Sequence, residues 1–207
     1  AAIGFKMLLF NIGIDGQYRL AVFFAAVVGA QVHLPAILHV FVIILTAMVV
    51  GAAWASIAGY LKVKRNISEV ISNIMLNTIA SGLITYLLSP LRLGAKIKGS
   101  DNIQTPSIDK SGWLPNFNIG GHPLHGFVVV SVSVGVLYWV LLNKSVFGFN
   151  LRATGMSFRA SRASGVNAPR MIVITMALSG AMAGLVGMGE MLGNTNDYSL
   201  GCPAGHA

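Results

Sequence analysis

From Leu20 to Leu61 the chain carries no Asp, Glu, Lys or Arg. That run is too long for one membrane span of about 20 residues and suits two spans joined by a turn. Gln31-Val32-His33-Leu34-Pro35 supplies the turn. The second span, Ala36 to Leu61, ends on Lys62, Lys64 and Arg65, and a dense basic cluster at the end of a span marks the cytoplasmic side. Val70 to Leu91 then returns outward, Phe127 to Leu142 crosses inward, and Met171 to Leu192 crosses outward. The pattern predicts an all-α integral membrane protein, a polytopic bundle with about five membrane segments.

The connections differ in character. Arg92 to His122 holds Gly99, Pro106, Gly112, Trp113, Pro115 and charges of both signs, including Lys96, Lys98 and Lys110, and reads as an external loop. Lys144 to Arg170 contains Arg152, Arg159 and Arg162 but no acid, which places it in the cytoplasm. Within it Ser157 to Ser164 reads as a short polar helix closed by Gly165, suited to contacting a partner protein.

Leu20 to Ala30 is too short to cross a hydrocarbon core of about 30 Å as a helix. The sequence before it, Leu9-Phe10-Asn11-Ile12-Gly13-Ile14-Asp15-Gly16-Gln17, has two glycines and three polar side chains inside an apolar run. It predicts a broken helix over residues 11–17, tolerated at membrane depth only where the freed backbone faces protein or a water-filled path. Asp15 either caps a helix beginning near Gly16 or meets a solute, since an intramembrane carboxylate normally faces a pathway or a polar partner.

Composition agrees with a membrane protein: 55% of residues are hydrophobic and 10% charged, where a soluble domain carries about a quarter charged. The net charge of +8 does not point to nucleic acid, because the basic residues flank spans instead of covering one soluble face. Cys202 is the only cysteine, so no intramolecular disulfide framework is available. The start lacks an initiator methionine and a signal peptide, and one transmembrane domain, 1–207, is expected to be a piece of a longer protein.

Other candidates have bland and sharp readings side by side. Ala177, Gly180, Ala181, Ala183, Gly184 and Gly187 put small residues at spacings of three and four, which lets another helix approach closely. Glu190 interrupts an apolar run and either sits at the interface or lines a pathway. Asn73 and Asn77, four apart on one helical face, either bond a neighbouring helix or contact a hydroxyl-rich solute. His122 and His125 lack a carboxylate or cysteine nearby and read as interfacial. No phosphate-binding loop is present, and Gly187 to Gly193 continues an apolar helix instead of following a strand.

Three of these stretches, Leu9 to Gln17, Glu69-Val70-Ile71-Ser72-Asn73-Ile74-Met75-Leu76-Asn77, and Arg152-Ala153-Thr154-Gly155 through Gly165-Val166, occur in order and between spans. Together they resemble the permease subunits of bacterial ABC importers for nucleosides and simple sugars, in the branch associated with basic membrane lipoprotein binding components. The chain departs from that pattern at Asp15, where members usually carry Glu, at Ser157 and Ala163, where Asn and Tyr are common, and at Arg19.

The resemblance implies a transmembrane subunit that does no chemistry and binds no cofactor, with ATP and Mg held by a separate ABC ATPase subunit. It implies a second permease subunit, an extracytoplasmic solute-binding lipoprotein, the bilayer of the bacterial plasma membrane, and no nucleic acid as partner. The path for solute would be lined by Asn11, Asp15, Gln17, Asn73, Asn77 and Glu190. Coupling to the ATPase would run through the 144–170 loop, with Gly148, Arg152, Gly155, Arg159, Arg162 and Gly165. A secondary transporter or channel for a small polar solute is the alternative, since it also uses broken helices and intramembrane carboxylates.

Overall fold

The computed structural model describes residues 2–32, 34–89, 92–96, 103–106, 116–119 and 122–192. Gly99, Lys98, Lys110, Gly112, Trp113, Pro115 and Cys202 lie outside the described residues. The helices are α1 (Ala2–Phe5), α2 (Ile14–Gln31), α3 (Ala36–Arg65), α4 (Glu69–Leu87), α5 (Phe127–Asn143), α6 (Val146–Met156), α7 (Phe158–Ala163), α8 (Ala168–Gly184) and α9 (Met188–Glu190).

The architecture is a helical bundle, and α3 and α4 are both long and apolar enough to cross a membrane. A third crossing arises if α5 and α6, bent by 64° at a short break, form one span. α8 is a shorter apolar helix. α3, at 30 residues, is about 45 Å long and outreaches the hydrocarbon core, carrying Lys62, Lys64 and Arg65 clear of it. Its end is set by Asn66 in the left-handed conformation, whose N–H bonds the Lys62 carbonyl.

Four elements differ from the sequence pattern. The helix after the break begins at Ile14, so Gly16 and Gln17 are helical and the irregular backbone is Leu9 to Gly13. The Lys144 to Arg170 segment is mostly helical: Ser145 accepts from the Gly148 N–H at 3.1 Å and starts α6, where a loop was expected up to Ser157. Arg92 to His122, read as loop, holds two antiparallel strand pairs, β1 (Ala95–Lys96) with β2 (Ile103–Gln104) and β3 (Asn116–Ile119) with β4 (His122–His125), the last running three residues past the expected loop. Strands of two to four residues leave no alternation long enough to detect.

The span expected to run to Leu192 stops as α8 at Gly184, turns through Leu185 to Gly187, and resumes as α9. Up to that point the small residues act as predicted. A Cβ on Gly180 would overlap the Gly51 carbonyl oxygen, one on Gly51 the Gly180 carbonyl, and one on Gly184 the Ala47 carbonyl. Backbone therefore meets backbone along α3 and α8, where dispersion contacts replace a hydrophobic drive that lipid does not supply.

α2 is the central helix. Its Leu20, Phe23 and Val27 pack with Ile84 of α4 and Leu88 just past its end, while Ala21, Ala25 and Ala26 pack with Ile43 and Ala47 of α3 and with Leu185 and Met188 beyond α8. A helix wrapped on nearly every side by protein fixes its neighbours. At its amino terminus lies the break, with Leu9, Asn11 and Gly13 buried and Phe10 and Ile12 about half exposed.

Candidate functional site

The break is closed by amides. Asn11, 5% exposed, donates through Nδ2 to Gln17 Oε1 at 3.0 Å and to Ser179 Oγ at 2.9 Å, and its Oδ1 accepts from the Gly13 N–H at 3.1 Å and from Gln17 Nε2 at 3.0 Å. From α4, Asn73 Nδ2 reaches the Phe10 carbonyl at 3.4 Å and Asn77 Nδ2 the Ile12 carbonyl at 3.2 Å, while Asn77 Oδ1 accepts from the Gly16 N–H at 3.1 Å. The backbone groups freed by leaving the helix thus find partners on α2, on α4 and on the Asn11 side chain, which Ser179 of α8 holds in turn, as irregular backbone in a bilayer must.

Glycine is required where these amides crowd in. A Cβ on Gly13 would stand 2.6 Å from Asn73 Oδ1 and 2.8 Å from Gln17 Nε2, and one on Gly16 would stand 2.7 Å from Asn77 Oδ1. The structure therefore brings Asn11, Gln17, Asn73 and Asn77 together. Ser179, the fifth member, was missed by sequence reasoning because a lone serine in an apolar span gives no signal.

Asp15 is not the helix cap. It lies in the first turn of α2, where Gly13 precedes the helix without a side-chain cap, and its Oδ1 accepts from Arg19 Nε at 3.0 Å one turn on. Both side chains are about half exposed, 50% for Asp15 and 47% for Arg19. Glu190 falls in α9, and its side chain lies outside the described residues.

At the basic end of the bundle Lys62 of α3 pairs with Glu69, the first residue of α4. Beside this pair a cleft of about 400 Å³ is lined by Leu8, Lys62, Asn66, Gly155, Phe158 and Pro169. Arg152 Nη1 donates to the Leu142 carbonyl at 2.7 Å, tying α6 back to the end of α5, and Gly148 packs on the same carbonyl. α7 begins at Ser157, whose Oγ accepts from the Ala160 N–H at 3.3 Å, and ends at Gly165 with φ +82, a conformation costly for any residue with a Cβ. Arg162 is exposed, its guanidinium 5.9 Å from the Phe158 ring centre, and Arg159 lies on the same short helix.

The described residues thus form a bundle of apolar helices with an amide-closed break and a basic helical segment at one end. The chain belongs to the family described as branched-chain amino acid transport system / permease component, whose model matches residues 1–201. It is thus a multi-pass integral protein of the plasma membrane. It is 33% identical over 203 residues to the guanosine ABC transporter permease of Bacillus subtilis strain 168, covering 96% of this chain and 56% of that protein. It is 29% identical to a glucose ABC transporter permease of Haloferax volcanii, covering 96% and 54%, and 28% identical to a nucleoside ABC transporter permease of Lactococcus lactis subsp. cremoris, covering 90% and 53%. The chain spans about half the length of these relatives. No solved structure matches it.

Proposed function

We propose that this chain is the core of the transmembrane subunit of an ATP-driven ABC importer, forming the path for a nucleoside or simple sugar delivered by an extracytoplasmic binding lipoprotein. About five of its segments would cross the bilayer, α2, α3, α4, the α5 region and α8, with segment 92–122 outside and 144–170 in the cytoplasm. A second permease subunit would complete the path. A separate ABC ATPase would hold ATP and Mg and receive α7, with Arg159 and Arg162 meeting acidic groups on its surface.

The observation that carries this reading is the contact between the two predicted functional regions. Gly155, at the end of α6, packs on the backbone of Lys6 and Met7, the turn that leads into the Leu9 to Gly13 break. A displacement of α6 and α7 by a partner therefore reaches the break directly, which a docking segment needs and a self-sufficient carrier does not. Nucleoside and sugar relatives support a neutral, hydroxyl-rich solute. The test is reconstitution of the full-length protein with its ATPase and binding protein: ATP-dependent uptake of labelled guanosine or glucose supports the reading, and uptake driven by an ion gradient without any ATPase overturns it.

A further inference from the structure

Of the amides that look most suited to solute, Asn11, Gln17 and Asn77 are taken up by the break, and Asn73 gives it Nδ2 while its buried Oδ1 keeps no partner, which leaves little of them for a solute and points to something else along the path. Helical geometry shows what. On α2, Gly16 and Leu20 face α4, while Ala21 faces α3 and the end of α8. At about 100° per residue, Asp15 and Arg19 stand on the far side of the Gly16 ridge from Ala21. On α4, Asn73, Asn77, Ala80 and Ile84 face α2, and Glu69 faces Lys62 of α3. Thr78, Ser81 and Thr85, spaced three and four apart, stand on the far side of that ridge from Glu69. The two sets therefore share one face of the α2 and α4 pair, the face turned away from α3.

This face is open. Thr78, Ser81, Gly82 and Thr85 are all exposed, and a Cβ on Gly82 would meet nothing within 4 Å. Each hydroxyl spends its proton on the carbonyl one turn back, Thr78 on Ile74 at 3.4 Å, Ser81 on Asn77 at 3.2 Å and Thr85 on Ser81 at 3.0 Å, which leaves lone pairs directed outward. α2 and α4 run parallel, since Gly16 meets Asn77 and Leu20 to Val27 meet Ile84 to Leu88. Asp15 accordingly lies near the level of Asn77, eight residues and about 12 Å along α4 from the Lys62 and Glu69 pair. A half-exposed ion pair at that depth does not face acyl chains; it faces water or a polar partner.

We propose that Thr78, Ser81 and Thr85 of α4 line the translocation path opposite Asp15 and Arg19, forming a ladder of acceptors for the O–H and N–H groups of a neutral polyhydroxylated solute. The inference rests on the permease reading and adds the residues that touch cargo. The Asn11, Gln17, Asn73 and Asn77 amides hold the break in shape and act as positioning residues.

The experiment uses the full-length permease assembled with its ATPase in membrane vesicles, with Cys202 and every other cysteine of the full-length protein replaced by Ser as background, and single Thr78→Cys, Ser81→Cys and Thr85→Cys variants, near-isosteric changes on an exposed face. Met75→Cys and Ile79→Cys, exposed on the neighbouring apolar face of the same helix, are the comparison. Because only an ionised thiol reacts, a charged methanethiosulfonate should modify 78, 81 and 85 about tenfold or more faster than 75 and 79, and guanosine or glucose at saturating concentration should slow only the first set. Equal, slow rates at all five positions in vesicles that still take up solute with ATP would overturn the ladder while leaving the permease reading intact. Fast labelling of the ladder in vesicles that show no ATP-driven uptake would keep the aqueous groove and sink the permease reading instead.

Discussion

Gly155 stands against the Lys6 main chain so closely that a Cβ would overlap the Lys6 carbonyl oxygen, with Met7 Cα only 3.1 Å away. Backbone cannot step aside as a flexible side chain does. Gly155→Val should therefore push the turn and the end of α6 apart and cut ATP-dependent uptake by about tenfold, the scale of a positioning error, while the ATPase still copurifies. Undiminished uptake by this variant would show that the contact transmits nothing.

Charge reversal at α7 should have the opposite signature. With Arg159→Glu and Arg162→Glu together, copurification of the ATPase should fall and hydrolysis should no longer follow solute supply, while membrane insertion survives on Lys62, Lys64, Arg65 and Arg170. Retention of both full ATPase binding and full uptake would remove α7 from the coupling role.

Asp15→Asn keeps shape and removes charge, leaving Arg19 without the partner it has at 3.0 Å. Uptake should fall with assembly intact. The double variant Asp15→Asn with Arg19→Gln separates two causes: if uptake recovers, the unpaired arginine was the harm, and if it stays low, the carboxylate itself serves the solute.

The amide network and the small-residue seam should be read out as stability. Asn11→Ala removes two bonds to Gln17 and one each to Ser179 and the Gly13 N–H, and at the average of ~0.6 kcal/mol found per bond inside membranes the loss should total about 2 kcal/mol. Gly180→Val forces apart α3 and α8 at Gly51 and should cost about as much or more. Thermal unfolding in detergent checks both, and unchanged midpoints would mean that the break and the seam are not where the bundle is held.

Much of this protein follows from composition along the chain. Charge-free runs ended by Lys62, Lys64 and Arg65 specified helices, because burying charge in hydrocarbon is costly enough to override local preference. Glycines at 180, 184 and 187 announced a close helix contact, and Gly13 with Asn11 announced a break, since each residue type does there what few others can. Partnership was not legible. Nothing in the sequence ties Asn11 to Ser179, which lie 168 residues apart, or Gly155 to Lys6. Nor does periodicity distinguish Asn73 and Asn77, turned inward on the break, from Thr78, Ser81 and Thr85, turned outward on the same helix. Which polar face of α4 is buried depends on where α2 lies, and that position is set by packing across the whole bundle.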